Sequence, residues 1–282
     1  MRRFSMSVVA LFAISFAGVI MAAPARADDF LWHNLVQEFW DDGAVYSDLV
    51  AIQDDGMVSV YAANPEIQPQ RAAGYVGTNV DALLMPGDWD GDGYADWMYR
   101  TTDGGLNVLA GWSRNTPVGQ IGWGWDVMTA VTSPGDWNGD GAADVLARDS
   151  TGALWMYKGN GHGGWLPGRT QVGWGWNVMT AIFSGHYFSG DGPSDVIARD
   201  TNGQLWLYPG NGYGGWLDRI QIGWAWQGMD LITAPGDYDN YGYGDVIARD
   251  NTGTMWLYPG NGSGGFTGAR SVMDIPTPQL FG

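Results

Sequence analysis

Short apolar runs broken by glycine, asparagine and aspartate make up most of the chain, and the breaks recur in a fixed order. Near residue 130 the run VMTAVTSPGDW passes into an acidic loop. The run DVLAR then meets the turn DSTG, and ALWMY returns. Two such runs around a Gly-containing turn predict a β-hairpin. A glycine-rich loop, GNGHGGW, leads to a fourth run, RTQVGWGW. No stretch sustains a 3.6-residue apolar period. FLWHNLVQEFW (30–40) would suit a helix in isolation, but it occupies the first-strand position of its unit.

The pattern repeats. DVLARDSTGALWMYKGNGHGGW (144–165), DVIARDTNGQLWLYPGNGYGGW (195–216) and DVIARDNTGTMWLYPGNGSGGF (245–266) align with offsets of 51 and 50 residues. Weaker copies begin at Asp96 and Asp48. A period of this length, with four short strands per unit, predicts an all-β β-propeller of about five four-stranded blades. The expected blades are approximately 28–79, 80–126, 127–177, 178–227 and 228–282, within one domain. An open solenoid, or a ring completed by a second chain, is the structural alternative.

The acidic loops follow D-x-[DN]-x-D-G-x-x-D. In the second unit these positions are Asp88, Asp90, Asp92, Gly93 and Asp96; in the third they are Asp136, Asn138, Asp140, Gly141 and Asp144. An EF-hand would need glutamate at loop position twelve, where Tyr99 or Ala147 stands. Clustered carboxylates around a tight turn instead suit a hard cation with oxygen ligands. The carbonyl of Tyr94 or Ala142 would add a ligand, and Asp96 or Asp144 would close the shell. An Asx-rich turn without an ion is the plainer reading. The loops GDWDGDGYAD, GDWNGDGAAD, YFSGDGPSD and GDYDNYGYGD resemble those of FG-GAP (integrin-α-like, VCBS-type) propeller repeats. That resemblance implies Ca2+ between the first two strands of each intact blade. The fourth copy has Tyr187 and Ser189 in place of ligands and keeps Asp191 and Asp195. The fifth keeps Asp237, Asp239 and Asp245 but carries Tyr241 at position five, and the first offers only Asp42 and Asp48.

The N-terminus changes the setting of these repeats. Arg2 and Arg3, an apolar run from Val8 to Met21 and Ala25-Arg26-Ala27 form the pattern of a secretory signal peptide over residues 1–27. A secreted, extracellular protein is expected, with no membrane insertion. The formal charge of −17 argues against nucleic acid as a partner. The absence of cysteine excludes disulfides and thiolate metal sites. The 45 glycines and 17 tryptophans suit a β-rich repeat protein, with glycine in turns and tryptophan in packing.

Trp123 with Trp125, Trp174 with Trp176, and Trp224 with Trp226 stand two apart in the fourth run. On a strand each pair would share a face. Trp155, Trp206 and Trp256 recur on the third strand, where blade packing is expected. The stretches WLPGRTQVGWGW and WLDRIQIGWAW resemble tachylectin-2-type five-bladed lectins. This second resemblance implies N-acetyl-hexosamine pockets between blades, with Trp165 and Trp216 as stacking rings; the fifth copy has Phe266 there, lacks the later tryptophans and departs from the pattern. Asn160 and Asn211, in the glycine-rich loops beside those rings, would read hydroxyls, and Trp174 and Trp224 complete the candidate ligand-binding set.

Arg100, Arg148, Arg199 and Arg249 occur once per blade; ion pairs with nearby aspartates are expected, with sugar or anion binding as the alternative. His33, His162 and His186 show no ligand spacing, and no nucleophile motif is present. The sequence therefore predicts a non-enzymatic recognition module for an extracellular glycan. A protein-binding scaffold for a cell-surface partner, or a secreted glycan hydrolase, is the alternative.

Overall fold

The computed structural model describes residues 31–32, 38–39, 45–46, 49–52, 55–61, 71–109, 119–268 and 270–272. The expected signal peptide, Asp42, Asp48 and His33 lie outside the described residues. Apart from three short 3-10 turns, every element is a strand. No helix among the described residues is long and apolar enough to cross a membrane.

The third repeat shows the plan. Met128–Gly135 pairs antiparallel with Asp144–Asp149, which pairs with Leu154–Lys158, which pairs with Thr170–Gly173. The same order holds in Val80–Gly87 to Gly119–Gly122, in Met179–His186 to Ile220–Gly223, and in Met229–Gly236 to Ser271–Val272. A further four-stranded sheet joins Leu31–Trp32, Leu49–Ile52, Met57–Tyr61 and Arg71–Tyr75. This first sheet lacks the full sequence motif of the other four, and a two-stranded ribbon (Glu38–Phe39, Val45–Tyr46) accompanies it.

Each sheet's first strand lies at the centre of the molecule. Met128–Gly135 contacts both Val80–Gly87 and Met179–His186, and the latter contacts Met229–Gly236. Leu31–Trp32 contacts Val80–Gly87 on one side and Met229–Gly236 on the other. Sheets arranged radially about their first strands form a β-propeller, the class expected from the period.

The second and third strands carry the core. Val145, Leu146 and Ala147 are fully buried, as are Val196, Ile197 and Ala198, and Val246, Ile247 and Ala248. Both faces are covered because these strands lie between neighbouring sheets, which is why these runs read as continuous apolar triplets rather than alternating ones. One apolar cluster joins Leu49–Ile52 of the first sheet to Leu83 of the second and to Leu231, Ile247 and Met255 of the last.

The hairpin turns form as predicted, each around one aspartate. Asp149 Oδ1 accepts from the backbone N–H groups of Thr151 and Ala153, and its Oδ2 accepts from Trp155 Nε1 at 2.8 Å. Asp200 with Trp206 and Asp250 with Trp256 repeat the arrangement. These third-strand tryptophans find their hydrogen-bond and cation partners within their own blade. An arginine of the fourth-strand region lies over each ring: Arg169 on Trp155 at 4.0 Å, Arg219 on Trp206 at 4.2 Å and Arg270 on Trp256 at 4.0 Å. The indole is held by a carboxylate at its edge and a guanidinium on its face.

Candidate functional site

Blade interfaces are built from rings. Trp137, in the second position of the third acidic loop, is 1% exposed and meets Trp216 of the next blade at 4.5 Å between centroids. Trp216 also lies 5.5 Å from Trp176 and 5.8 Å from Tyr208, and its Nε1 donates to the Val172 carbonyl at 2.6 Å. The preceding interface repeats this with Trp89, Trp165, Trp125 and Tyr157, Trp165 Nε1 reaching the Ile121 carbonyl at 2.9 Å. The following interface uses Phe188, Phe266, Trp226 and Tyr258. Trp165 and Trp216 are thus half-buried members of four-ring clusters that join blades. Sequence reading missed the acidic-loop ring and the tyrosine, although both recur at the fifty-residue spacing.

The glycine-rich loop closes over the preceding blade's acidic loop. Gly214 N–H donates to the Trp137 carbonyl at 3.1 Å, and a Cβ on Gly139 would lie 2.4 Å from the Gly212 carbonyl oxygen. Only glycine allows two backbones so near. Asn211 Oδ1 accepts from the N–H groups of Tyr213 and Gly215, and Asn160 does the same for His162 and Gly164. The carbonyl oxygens of these asparagines, expected to read hydroxyls, hold their own loops instead.

The paired tryptophans do not share a face. The fourth strand ends at Gly122, Gly173 or Gly223, and a left-handed residue follows two positions later: Gly124 (φ 71°), Gly175 (φ 73°) and Ala225 (φ 64°). That turn starts a 3-10 helix and separates the two rings. Trp125, Trp176 and Trp226 go inward and are 6–7% exposed, whereas Trp123, Trp174 and Trp224 go outward and are 77–84% exposed. The expectation of a two-ring platform assumed a continuing strand, and the left-handed turn overturns it.

One exposed ring stands over a cavity. A cavity of about 330 Å³ opens between the third and fourth blades, with Trp174 and Trp216 on its wall beside Tyr208, Asp218 and Arg219. An indole face for C–H contact, with a carboxylate, a guanidinium and a phenol within the same hollow, is the composition of a small polar-ligand site.

The acidic loops form a second candidate centre. Asp88 accepts from the N–H groups of Gly91, Asp92 and Gly93, and Asp92 Oδ1 accepts from that of Tyr94 at 2.9 Å. Asp96 is fully buried, with Oδ2 accepting from Trp89 N–H. Carboxylate oxygens of Asp88, Asp90 and Asp96 come within 4.8 Å of one another, and so do those of Asp237, Asp239 and Asp245. Asp90 Oδ2 and Asp237 Oδ1 are buried with no hydrogen-bond donor, as suits oxygen ligands to a cation. Both groups can hold a metal ion.

The third loop differs. Asn138 turns its Nδ2 onto Asp144 Oδ2 at 2.7 Å, and Asp136, Asp140 and Asp144 do not converge as a trio among the described residues. Asp140 Oδ1 accepts from Ala142 N–H at 3.0 Å, as Asp92 does from Tyr94 in the second loop. Burial pushes Asp144 up to about 6, and Asp195 and Asp245 up to about 7. The fifth loop, despite Tyr241, thus brings together a carboxylate trio that the better-matching third loop does not.

No protein-family model and no curated protein matches the chain. Solved structures do. AofleA from Arthrobotrys oligospora superposes with a TM-score of 0.53 at 11% identity, covering 86% of this chain and 72% of that one. An Agrocybe aegerita lectin, described as recognising non-reducing terminal N-acetylglucosamine, gives 0.47 at 18% identity, with coverage of 90% and 69%. The BP39L lectin from Burkholderia pseudomallei gives 0.46 at 18%, with 82% and 67%. At such identities the likeness to AofleA speaks to fold alone.

The inward ring depends on the bare glycine before it. A Cβ on Gly173 would lie 2.2 Å from Trp176 Nε1, while one on Gly119 would meet nothing within 4 Å. We therefore expect Gly173→Ala to cost about 1–3 kcal/mol by overpacking, lowering Tm by about 2–4 °C per kcal/mol. Gly119→Ala should leave the melting curve unchanged, as differential scanning calorimetry would show.

Proposed function

We propose that this protein is a secreted, lectin-like propeller that binds glycans in repeated pockets between its blades, with no catalytic activity. The observation that carries this reading is Trp174, 84% exposed at the wall of the cavity between the third and fourth blades. Leaving an indole in water forgoes about 25 cal/mol for each Å² of apolar surface it could bury, and three outward tryptophans stand at equivalent places. The tachylectin-2-type resemblance names N-acetyl-hexosamines as the sugar class. Single pockets of this size bind weakly, and several on one rigid ring gain by multivalency against a glycan surface. Closure as five blades is part of the proposal, supported by the packing of Leu49–Ile52 against both the second and last sheets.

Trp174→Ala is the suitable probe, because that ring takes little part in packing. On a glycan array we expect wild type to bind N-acetyl-hexosamine polymers and the variant to lose at least about tenfold in affinity, the loss of about 1.4 kcal/mol. Trp216→Ala would disturb the blade interface and cannot separate binding from folding. Exposed tryptophans also serve as protein hot spots. A blank array with wild-type protein that captures a cell-surface protein would overturn the lectin reading in favour of that scaffold.

The acidic loops are proposed to bind Ca2+ for structure, as the FG-GAP-type resemblance implies, with Asp88, Asp90 and Asp96 holding one ion and Asp237, Asp239 and Asp245 another. Bound calcium would supply the positive charge that lets each buried carboxylate ionise, fixing the loop against the glycine-rich loop of the next blade. Affinity on the order of 0.1–1 mM is expected for an extracellular module. In 10-fold excess over such a Kd, calcium stabilises by about 1.4 kcal/mol for each of the two sites, so Tm should rise by about 6 °C or more and fall back with chelator. Asp90→Asn combined with Asp239→Asn should remove the rise; an unchanged rise in that variant would sink these sites.

A further inference from the structure

The third and fourth acidic loops are closed by donors of their own, and they are the two that bring no carboxylate trio together. In the third loop Asn138, at the third position of the motif, donates Nδ2–H to Asp144 Oδ2 at 2.7 Å, and its backbone N–H donates to the same oxygen at 3.2 Å. In the fourth loop Ser189 stands at that position. Its N–H donates to Asp195 Oδ2, and its Oγ lies 2.7 Å from Asp191 Oδ1 and 3.2 Å from Asp195 Oδ1. Neither loop leaves a buried carboxylate oxygen without a partner among the described residues. The second and fifth loops carry Asp90 and Asp239 at the same position. An ionised aspartate only accepts, so Asp90 adds a like charge to Asp88 and Asp96, and Asp239 adds one to Asp237 and Asp245. The orphaned oxygens, Asp90 Oδ2 and Asp237 Oδ1, are in these two loops.

The same two blades are the charged ones at the other end of the central strands. Arg100 is gripped by Asp81, with Nε to Oδ1 at 2.7 Å and Nη2 to Oδ2 at 3.0 Å. Arg249 pairs with Asp230 at 2.8 Å. These are the ion pairs expected from the sequence. In the third and fourth blades threonine takes the aspartate's place: Arg148 Nε reaches Thr129 Oγ1 at 2.8 Å and Arg199 Nε reaches Thr180 Oγ1 at 2.9 Å. The second and last sheets thus use carboxylates where the two between them use neutral groups. They are also the sheets that contact the first. Their acidic loops reach it through a neighbouring ring. Trp97, next after Asp96, belongs to the apolar cluster of Leu49–Ile52, and Tyr238, next after Asp237, packs against that cluster.

We propose that the residue at the third loop position decides which blades depend on a cation. Asp90 and Asp239 make the two sheets that flank the first one ion-dependent, whereas Asn138 and Ser189 close the third and fourth loops from within and leave those blades ion-independent. The third loop, whose sequence fits the calcium pattern, is therefore one that does without the ion. This inference rests on the calcium reading of the second and fifth loops and goes beyond it, because it makes calcium the clasp of the first sheet rather than a support for every blade. An amide N–H or a hydroxyl sets a partial positive charge against the carboxylate where an ion would set a whole one, and a chelator cannot remove it. The hollow beside Trp174 lies between the two self-closed blades, so its shape does not depend on calcium.

Hydrogen–deuterium exchange of the full chain, read by mass spectrometry in calcium and in chelator, tests this blade by blade. At about 10 mM calcium, above the expected Kd, exchange across residues 49–61, 80–101 and 229–258 should slow at least about fivefold relative to chelator. Residues 128–158 and 179–209 should exchange alike in both. Asp90→Asn gives the second loop the closure of the third, so in chelator this variant should melt about 2 °C above wild type. Asn138→Asp should melt below wild type in chelator, and calcium should close that gap. Equal protection of the third and fourth loops by calcium, or an Asp90→Asn protein that melts below wild type in chelator, overturns the inference while leaving calcium binding intact. A wild type with no calcium effect in any blade removes the calcium reading and this inference together.

Discussion

In the second, third and fourth blades the fourth strand ends on a glycine, and the indole three residues later folds back onto that bare backbone. Trp176 over Gly173 and Trp226 over Gly223 are held so closely that a methyl group could not enter. The rest of the interface depends on this contact. The inward indole offers its face to Trp216 or Phe266 of the next blade, which in turn meets the ring of the acidic loop. Aromatic pairs of this kind contribute about 0.5–1.5 kcal/mol each beyond their buried area. A chain without cysteine thus joins its blades by ring contacts and loop-on-loop hydrogen bonds.

The same turn separates packed rings from exposed ones. A left-handed residue between two tryptophans sends one inward to pack and one outward to solvent. Ala225 takes the conformation that glycine takes in the other copies, so it holds even where the side chain carries a Cβ. The acidic loop is likewise bound into the interface, because its second residue is a core ring and its backbone is capped by the neighbour's glycine-rich loop. Ion binding there would be coupled to blade packing rather than to the outward tryptophans.

Much of this was legible because repetition amplifies weak local signals. Three near-identical copies of DVIARD-type strands with their Asx turns placed the second and third strands to within a residue or two. The fate of the paired tryptophans was not legible, since W-G-W reads equally well as an extended strand or as a left-handed break; only the ring waiting in the next blade decides. Spacing alone also could not tell that Asn138 would turn its amide onto Asp144, or that Asp237, Asp239 and Asp245 would converge despite Tyr241. For the arginines, the residue that sets the partner is the second of the central strand, Asp81, Thr129, Thr180 or Asp230, some nineteen residues earlier.

The account turns on a division between tryptophans that hold blades together and tryptophans that meet a ligand. Labelling the protein with 5-fluorotryptophan and following its fluorine spectrum during titration with a soluble N-acetyl-hexosamine oligomer reads both sets at once. Resonances of Trp123, Trp174 and Trp224, assigned by single substitution, should shift with ligand, while those of Trp89, Trp137 and Trp176 stay in place. Shifts confined to the packed rings, or none at saturating sugar, would contradict the account.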